Sequence, residues 1–313
     1  MALRFDLPPS DEPDAGSDPA DLALASGLRL WAGLRDASVT AERLAWLSLV
    51  AKALDLAQLF RVDPASTSKL GHAAGHRLVL ELHAQVHEIC RPLVRSGGKL
   101  DGDARADSRS RLRLYLVWCI RNESQLLSEL GSRSTLEDLF EPATARRLIA
   151  DLGEARTDYE QVYGQIPEDS DQELALDRTR FEAEVRSRRR DLEQVLEELG
   201  LSPLRDALAR ALTGEETRNA TPTFPSTVRI LDGGGSASAR RQLREASLGF
   251  AYPAYSAASL RLHGSGLGLS IRLGMISPDL AERASTPASE LVPLLNDILH
   301  RLAILESVLV DDA

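Results

Sequence analysis

The chain has 313 residues, which suffices for one large hydrophobic core or two smaller ones, because single cores stop growing at roughly 250–300 residues. With 43% hydrophobic and 27% charged residues, it has the composition of an ordinary globular protein. The net charge of −10 excludes a surface that is basic throughout, and leaves only a local basic patch for any contact with nucleic acid. No apolar run of about 18 residues occurs, so no transmembrane helix and no membrane association are predicted.

The apolar residues are mostly Ala and Leu, and aromatic residues make up only 4% of the chain. Helices favour these residue types, whereas sheets favour β-branched and aromatic ones. The composition therefore predicts a mainly all-α fold, a multi-helix bundle with long antiparallel helices. Residues 1–20, rich in Pro, Asp and Ser, are predicted to be a disordered tail without a signal peptide. Cys90 and Cys119 lie among apolar residues in helical patterns, which favours buried thiols in a reducing cytoplasm.

Apolar residues at three- and four-residue spacing predict the helices in chain order. Two antiparallel helices fill 21–60, the second capped by Ser38 or Thr40, and a long third helix begins near residue 67 and weakens near Pro92. A fourth helix spans about 107–130. The fifth starts from a capping box formed by Ser134 and Glu137. A charge-rich helix over 172–200 and a short helix over 201–214 complete a helical bundle assigned to residues 21–214.

Residues 215–236 are rich in Pro and Gly and are predicted to be an irregular loop. Within it, "STVRIL" is a candidate β-strand that would pair with "LGLSIRLGMI" as a small hairpin near the C-terminus. Residues 237–313 are predicted to be a C-terminal helical segment that packs on the bundle, with one helix over about 237–263 and an amphipathic helix from residue 288.

Four of the six histidines, His72, His76, His83 and His87, share one stripe of the third helix, at about 0°, 40°, 20° and 60° around its axis. A histidine pair spaced by four residues can chelate a metal ion, so the stripe predicts a divalent-metal site completed by carboxylates from another helix. The alternative is that these histidines flank the apolar face of the helix and form polar contacts at the edge of the core.

Arg77 and His83 are separated by five residues, a spacing that resembles the nuclease motif of the HEPN superfamily, in which four to six residues lie between an arginine and a histidine. Proteins of that superfamily are helical bundles that often dimerise around the motif to cut RNA. The resemblance implies a ribonuclease without a metal ion, in which Arg77 and either His83 or His263 act as acid–base groups. Metal-dependent cleavage through the histidine stripe is the other form of this enzyme hypothesis.

The stretch "YSAASLRLHGSG" carries Tyr255, Ser259 and His263 at four-residue intervals, before a glycine-rich break. On a helix these side chains lie one turn apart, so Ser259 and His263 can hydrogen-bond. The motif, Tyr-x3-Ser-x3-His-x-Ser, resembles the closing helix of a bacterial, mainly helical family of unknown function. Members of such families are often placed near defence or stress systems. The pattern is compatible with a catalytic or ligand-binding pocket, or with a polar network that holds the last helix of the bundle.

Together these patterns predict a cytoplasmic bacterial helical protein of defence or stress-response type. It would act through homo-oligomer or protein-partner contacts, with nucleic acid or a nucleotide as a further ligand at Tyr255, Ser259 and His263. The alternatives are a HEPN-like or metal-dependent ribonuclease and a purely structural adaptor.

Overall fold

The computed structural model describes residues 23, 25–30, 40–61, 69–96, 101–140, 171–213, 222–235, 238–248, 255 and 288–310. Most of these residues are helical, and no strand occurs among them. The prediction of a mainly all-α fold is therefore confirmed. A search of the helices in these ranges finds none that could serve as a membrane-spanning segment.

The helices are numbered here in chain order. They are α1 Ala41–Arg61, α2 Lys69–Arg95, α3 Gly102–Leu130, α4 Arg133–Phe140, α5 Asp171–Glu198, α6 Ser202–Leu212, α7 Phe224–Leu231, α8 Ala239–Glu245 and α9 Ala288–Val310. Contacts divide the chain into two compact units, residues 1–116 with 208–313, and residues 117–207.

The first unit is built on α1, α2 and α9, each of which packs against the other two, while α7 and α8 pack against α2. Their facing sides are apolar and fully buried, as at Trp46, Leu80 and Ile298. The Trp46 indole Nε1 donates to the Leu302 carbonyl oxygen at 2.8 Å, so even the polar atom of this large side chain is satisfied between helices. This packing positions α2, which carries most of the predicted site residues.

The second unit contains α4 and α5, which pack against each other. The Phe140 and Phe181 rings lie 5.5 Å apart between their centroids. The apolar residues of α5 are sparse, as predicted, and Val185, Leu192 and Leu196 are buried. The rest of α5 is mostly exposed and charged.

Among the described helices, side-chain oxygens close the N-termini of α1, α3, α4 and α8; at α8, the Ser238 hydroxyl oxygen accepts the Arg241 N–H. Thr40 accepts the Arg43 N–H at 3.3 Å, which is one of the two caps predicted, and Asp101 accepts the Ala104 N–H at 2.7 Å. At α4 the predicted capping box is wrong: Ser132 accepts the Thr135 N–H at 3.3 Å, and Ser134 lies inside the helix. The helix starts earlier than predicted because the turn after α3 already presents Ser132.

Proline does not end α2, which continues through Pro92 to Arg95. A proline inside a helix lacks the N–H that would bond the carbonyl four residues earlier. That carbonyl belongs to Glu88, and the Arg111 guanidinium donates to it at 3.3 Å. The predicted weakening near Pro92 is thus offset by a neighbouring helix.

The prediction of a strand at "STVRIL" is wrong, because these residues lie in α7. Pro225 stands at the start of this helix, where its missing N–H costs nothing. Phe224 and Val228, four residues apart, are both buried, and the Phe224 ring meets Tyr115 edge-on at 5.1 Å. The β-branched residues that suggested a strand thus belong to a helix with one apolar face, inside the segment predicted to be an irregular loop. The second strand of the predicted hairpin, 267–276, lies outside the described residues.

The prediction of one helix over 237–263 also needs correction, since α8 ends at Glu245. The Leu248 N–H bonds the Leu243 carbonyl at 2.7 Å and the Ser247 N–H bonds the Arg244 carbonyl at 3.1 Å, with Ser247 in the left-handed region at φ 63°. This is a Schellman motif, in which glycine is the usual left-handed residue. Because serine and not glycine occupies that position, the sequence gives no clear signal that the helix ends there.

Candidate functional site

The predicted site residues fall into three groups. Arg77, His76, His83 and His87 project from α2, and Tyr255 is described alone in its part of the chain. Ser259 and His263 lie outside the described residues, as does the side chain of His72. The described groups form two clusters along α2.

The Tyr255 cluster consists of Arg77, Glu81 and Tyr255. The Tyr255 hydroxyl donates to Glu81 Oε1 at 3.2 Å, and Arg77 Nε donates to the same oxygen at 2.7 Å. The Arg77 guanidinium carbon lies 5.9 Å from the centre of the Tyr255 ring, within the range of a cation–π contact. The ring itself packs on a small apolar cluster of Leu80, Leu243 and Leu248. Leu248, which follows the end of α8, and Tyr255 thus lie at the same patch of α2.

Electrostatics fixes the protonation states in the Tyr255 cluster. Burial, reinforced by the Glu81 charge, raises the pKa of Tyr255, so the phenol stays protonated and acts as a donor. The hydrogen bond to Glu81 raises the pKa of Arg77 against the opposing effect of burial. An arginine cation and a tyrosine hydroxyl held by one carboxylate can bind an anion or stack on a planar ring, but neither group is poised to remove a proton near neutral pH.

The His83 cluster consists of His83, His87, Asp297 and Arg301, at the contact of α2 with α9. His83 Nε2 lies 2.8 Å from Asp297 Oδ2, and Arg301 Nε donates to the same oxygen at 2.7 Å. The His83 side chain is only 4% exposed. Asp297 therefore joins the two helices through a shared carboxylate oxygen.

Burial lowers the pKa of His83, and the Arg301 charge adds to this, while the hydrogen bond to Asp297 opposes it. Burial acts to raise the pKa of Asp297, but hydrogen bonds from Arg301 and His83 outweigh it and lower that pKa. The contact is thus a hydrogen bond from a neutral imidazole to an ionised carboxylate. With Nε2–H assigned as the donor, Nδ1 of His83 is left without a hydrogen-bond partner among the described residues.

Two further side chains of α2 lie beside this cluster. Burial, followed by the charge of Arg301, lowers the pKa of His87 to about 4. The Cys90 thiol is 3.9 Å from the Arg301 carbonyl oxygen, and burial raises its pKa to about 12. Both groups are neutral at physiological pH, and the thiol is not an activated nucleophile.

The described residues offer no grouping of three or more His, Cys, Asp or Glu side chains suited to a metal ion. In the His83 cluster, Arg301 already supplies the positive charge that pairs with Asp297. Binding of a divalent metal by the histidine stripe stays a prediction.

Arg77 and His83 do not converge on one point. They stand six positions apart on α2, which corresponds to about 9 Å along the axis and an angular separation of about 120° around it. Arg77 contacts Tyr255, whereas His83 contacts α9. By contrast, Arg77 and Tyr255, predicted from separate motifs, do lie together.

Sequence reasoning missed Glu81, Asp297 and Arg301, the partners that hold both clusters together. The pairs Arg77–Glu81 and Asp297–Arg301 have four-residue spacing on a helix, a signal that was available. A third polar group was also missed: Glu88, only 5% exposed, pairs with Arg111 of α3. Buried charges are tolerated when they are paired in this way.

Comparisons of this chain with protein-family models, with curated proteins and with solved structures find no match. The fold and the two clusters therefore define a mainly helical protein with polar contacts between its helices. The two family resemblances of the sequence stay predictions.

Proposed function

We propose that this chain is a helical interaction protein, which acts by contact with a protein partner or with a second copy of itself. One observation carries the proposal: Arg77 and His83, the pair on which the nuclease hypothesis depends, diverge around α2 and are held by different partners. A general acid or base must reach the reacting atoms of its substrate. His83 is buried against Asp297, which suits the joining of helices.

The resemblance of the Tyr255 motif to a bacterial helical family supports a cytoplasmic role of defence or stress-response type. The charged surface of α5 supports action through protein contacts, because exposed charges favour specific, steered association. Because α5 has few apolar residues, charged side chains cover most of its surface.

Sedimentation velocity over a range of protein concentrations tests the proposal. We expect a mass above that of one chain, or a mass that rises when the physiological partner is added. The proposal would be overturned by a protein that stays monomeric and binds no partner, and whose cleavage of RNA is lost in a folded Arg77→Ala variant.

A second candidate function is the binding of a nucleotide or single-stranded nucleic acid at the Tyr255 cluster. The contact between the Arg77 guanidinium and the Tyr255 ring favours it, since arginine and tyrosine are common partners of phosphates and bases. Titration of the protein with ATP and with a labelled oligonucleotide would show saturable binding that is weakened in Arg77→Ala. Equal binding by wild type and variant would contradict a site here.

A further inference from the structure

The exposed surface of α5 carries a stripe with an ordered charge sequence. Arg186, Arg190, Glu193 and Glu197 lie at about 0°, 40°, −20° and 20° around the helix axis, all within one narrow face. All four are exposed. We call these four residues the 186–197 face. It lies to one side of the buried residues Val185 and Leu192, so the packing of the described residues leaves it open.

Within one chain, the 186–197 face is only partly paired. Arg186 lies 3.5 Å from Glu182, and Glu193 pairs with Arg205. Both contacts are exposed ion pairs, so the charges of a partner can replace them at little cost in stability. For Arg190 and Glu197, no side-chain hydrogen bond or ion pair occurs with any described residue.

The order of the charges makes the 186–197 face complementary to itself. Two arginines precede two glutamates, so a second α5 laid alongside in the antiparallel direction meets it with opposite charges. When the two-fold axis passes between Asp191 and Leu192, Arg186 faces Glu197 of the second copy and Arg190 faces Glu193. The two-fold axis repeats each contact, which gives four ion pairs. A parallel arrangement in the same register would set like charges against each other, and like charges are disfavoured across an interface.

We propose that the 186–197 face is the contact through which two copies of this chain associate, with their α5 helices antiparallel. The inference rests on the proposed function and specifies its partner as a second copy. Such a contact uses the same patch on both chains and is closed after two copies, which is the commonest symmetry of soluble oligomers. Charge complementarity sets the register, and the arginines suit the role because their planar guanidinium binds carboxylates in two-pronged fashion.

Two complementary charge-reversal variants test the proposal. Arg186→Glu with Arg190→Glu makes the face wholly acidic, and Glu193→Arg with Glu197→Arg makes it wholly basic. We expect each variant alone to dimerise more than about tenfold more weakly than wild type, because every pair becomes repulsive. An equimolar mixture should recover dimers, since each acidic face then meets a basic one.

The control reverses charges elsewhere on the same helix. Arg180→Glu with Glu184→Arg changes two exposed residues that lie about 110° and 150° around the helix axis from the centre of the 186–197 face. This variant should dimerise like wild type. The single variant Arg190→Glu, at a position without a partner in the described part of the chain, provides a milder change should a double variant fail to fold.

Sedimentation velocity on the wild type, each variant and the mixture distinguishes the outcomes. Loss of the dimer in both variants and its return in the mixture supports the inference. A wild-type dimer that both variants leave intact overturns the inference but not the proposed function, because the chain then associates through another surface. A wild type that is monomeric at every concentration also overturns it and limits the proposed function to a different protein partner.

Discussion

Three of the helices in the described ranges end in the same way but with different residues at the left-handed position. Gly200 follows α5 with φ 65°, Gly233 follows α7 with φ 80°, and Ser247 follows α8 with φ 63°. In each case the next residue donates its N–H to a carbonyl five residues earlier, at 2.7–2.8 Å. The same left-handed backbone conformation is therefore occupied by glycine in two of these helix ends and by serine in the third.

The size of the effect of Ser247→Gly follows from two opposing contributions. A side chain in the left-handed region costs about 1–2 kcal/mol relative to glycine. Glycine adds conformational freedom to the unfolded chain, which lowers the free energy of unfolding by about 0.4–1 kcal/mol. We therefore expect Ser247→Gly to raise the free energy of unfolding by about 0.5–1 kcal/mol.

The reverse change, Gly200→Ala, should lower that free energy by a similar amount. A Cβ placed at Gly200 meets no atom within 4 Å, so the loss would come from backbone conformation and not from a clash. Urea unfolding followed by far-UV circular dichroism measures both variants. A Ser247→Gly protein that is less stable than wild type, beside a destabilised Gly200→Ala, would refute the reasoning and give the Ser247 side chain a stabilising contact of its own.

Three further predictions concern His87, Cys90 and the histidine stripe of α2. The pKa of His87 is about 4 in the folded chain, against about 6.5 when unfolded, so the unfolded state binds the extra proton between these values. The free energy of unfolding should thus fall as the pH is lowered from 6.5 to 4, and His87 should contribute less than about 1.4 kcal/mol of this fall per pH unit. Urea unfolding at a series of pH values should show a weaker dependence of this free energy on pH in His87→Gln. Cys90 is buried and has a pKa of about 12, so it should react with a thiol reagent only on unfolding. The partly exposed Cys119 should react in the folded protein. Prompt labelling of both cysteines would contradict the buried position of Cys90. Metal binding by the histidine stripe predicts a rise in Tm on addition of zinc that is lost in His87→Gln, and an unchanged Tm would refute that site.

Periodicity in the sequence predicts the long helices well, because each has an apolar face with a regular spacing. α9 begins and ends where its amphipathic pattern does. The errors occur where local chemistry and packing compete: "STVRIL" contains β-branched residues yet buries Phe224 and Val228 on one helical face, and Ser247 ends a helix in place of glycine. Tertiary contacts override the weak preferences of such short segments.

The candidate site could be predicted only as far as single helices allow. The pairs within α2 and within α9 follow from four-residue spacing. The contact of His83 with Asp297 joins residues 214 positions apart, and nothing in the pattern of either helix determines which carboxylate faces the imidazole.

An RNA cleavage assay with purified protein is the most direct test of the proposed function, because it distinguishes a protein that acts by contact with a partner from a nuclease. Labelled single-stranded RNA would be incubated with wild type, Arg77→Ala and His83→Ala, with and without chelator, each variant first checked for a folded circular dichroism spectrum. We predict no cleavage in any lane, and a lower Tm for His83→Ala because Asp297 loses its partner on α2. Cleavage by the wild type that disappears in a folded Arg77→Ala variant would contradict the proposed function.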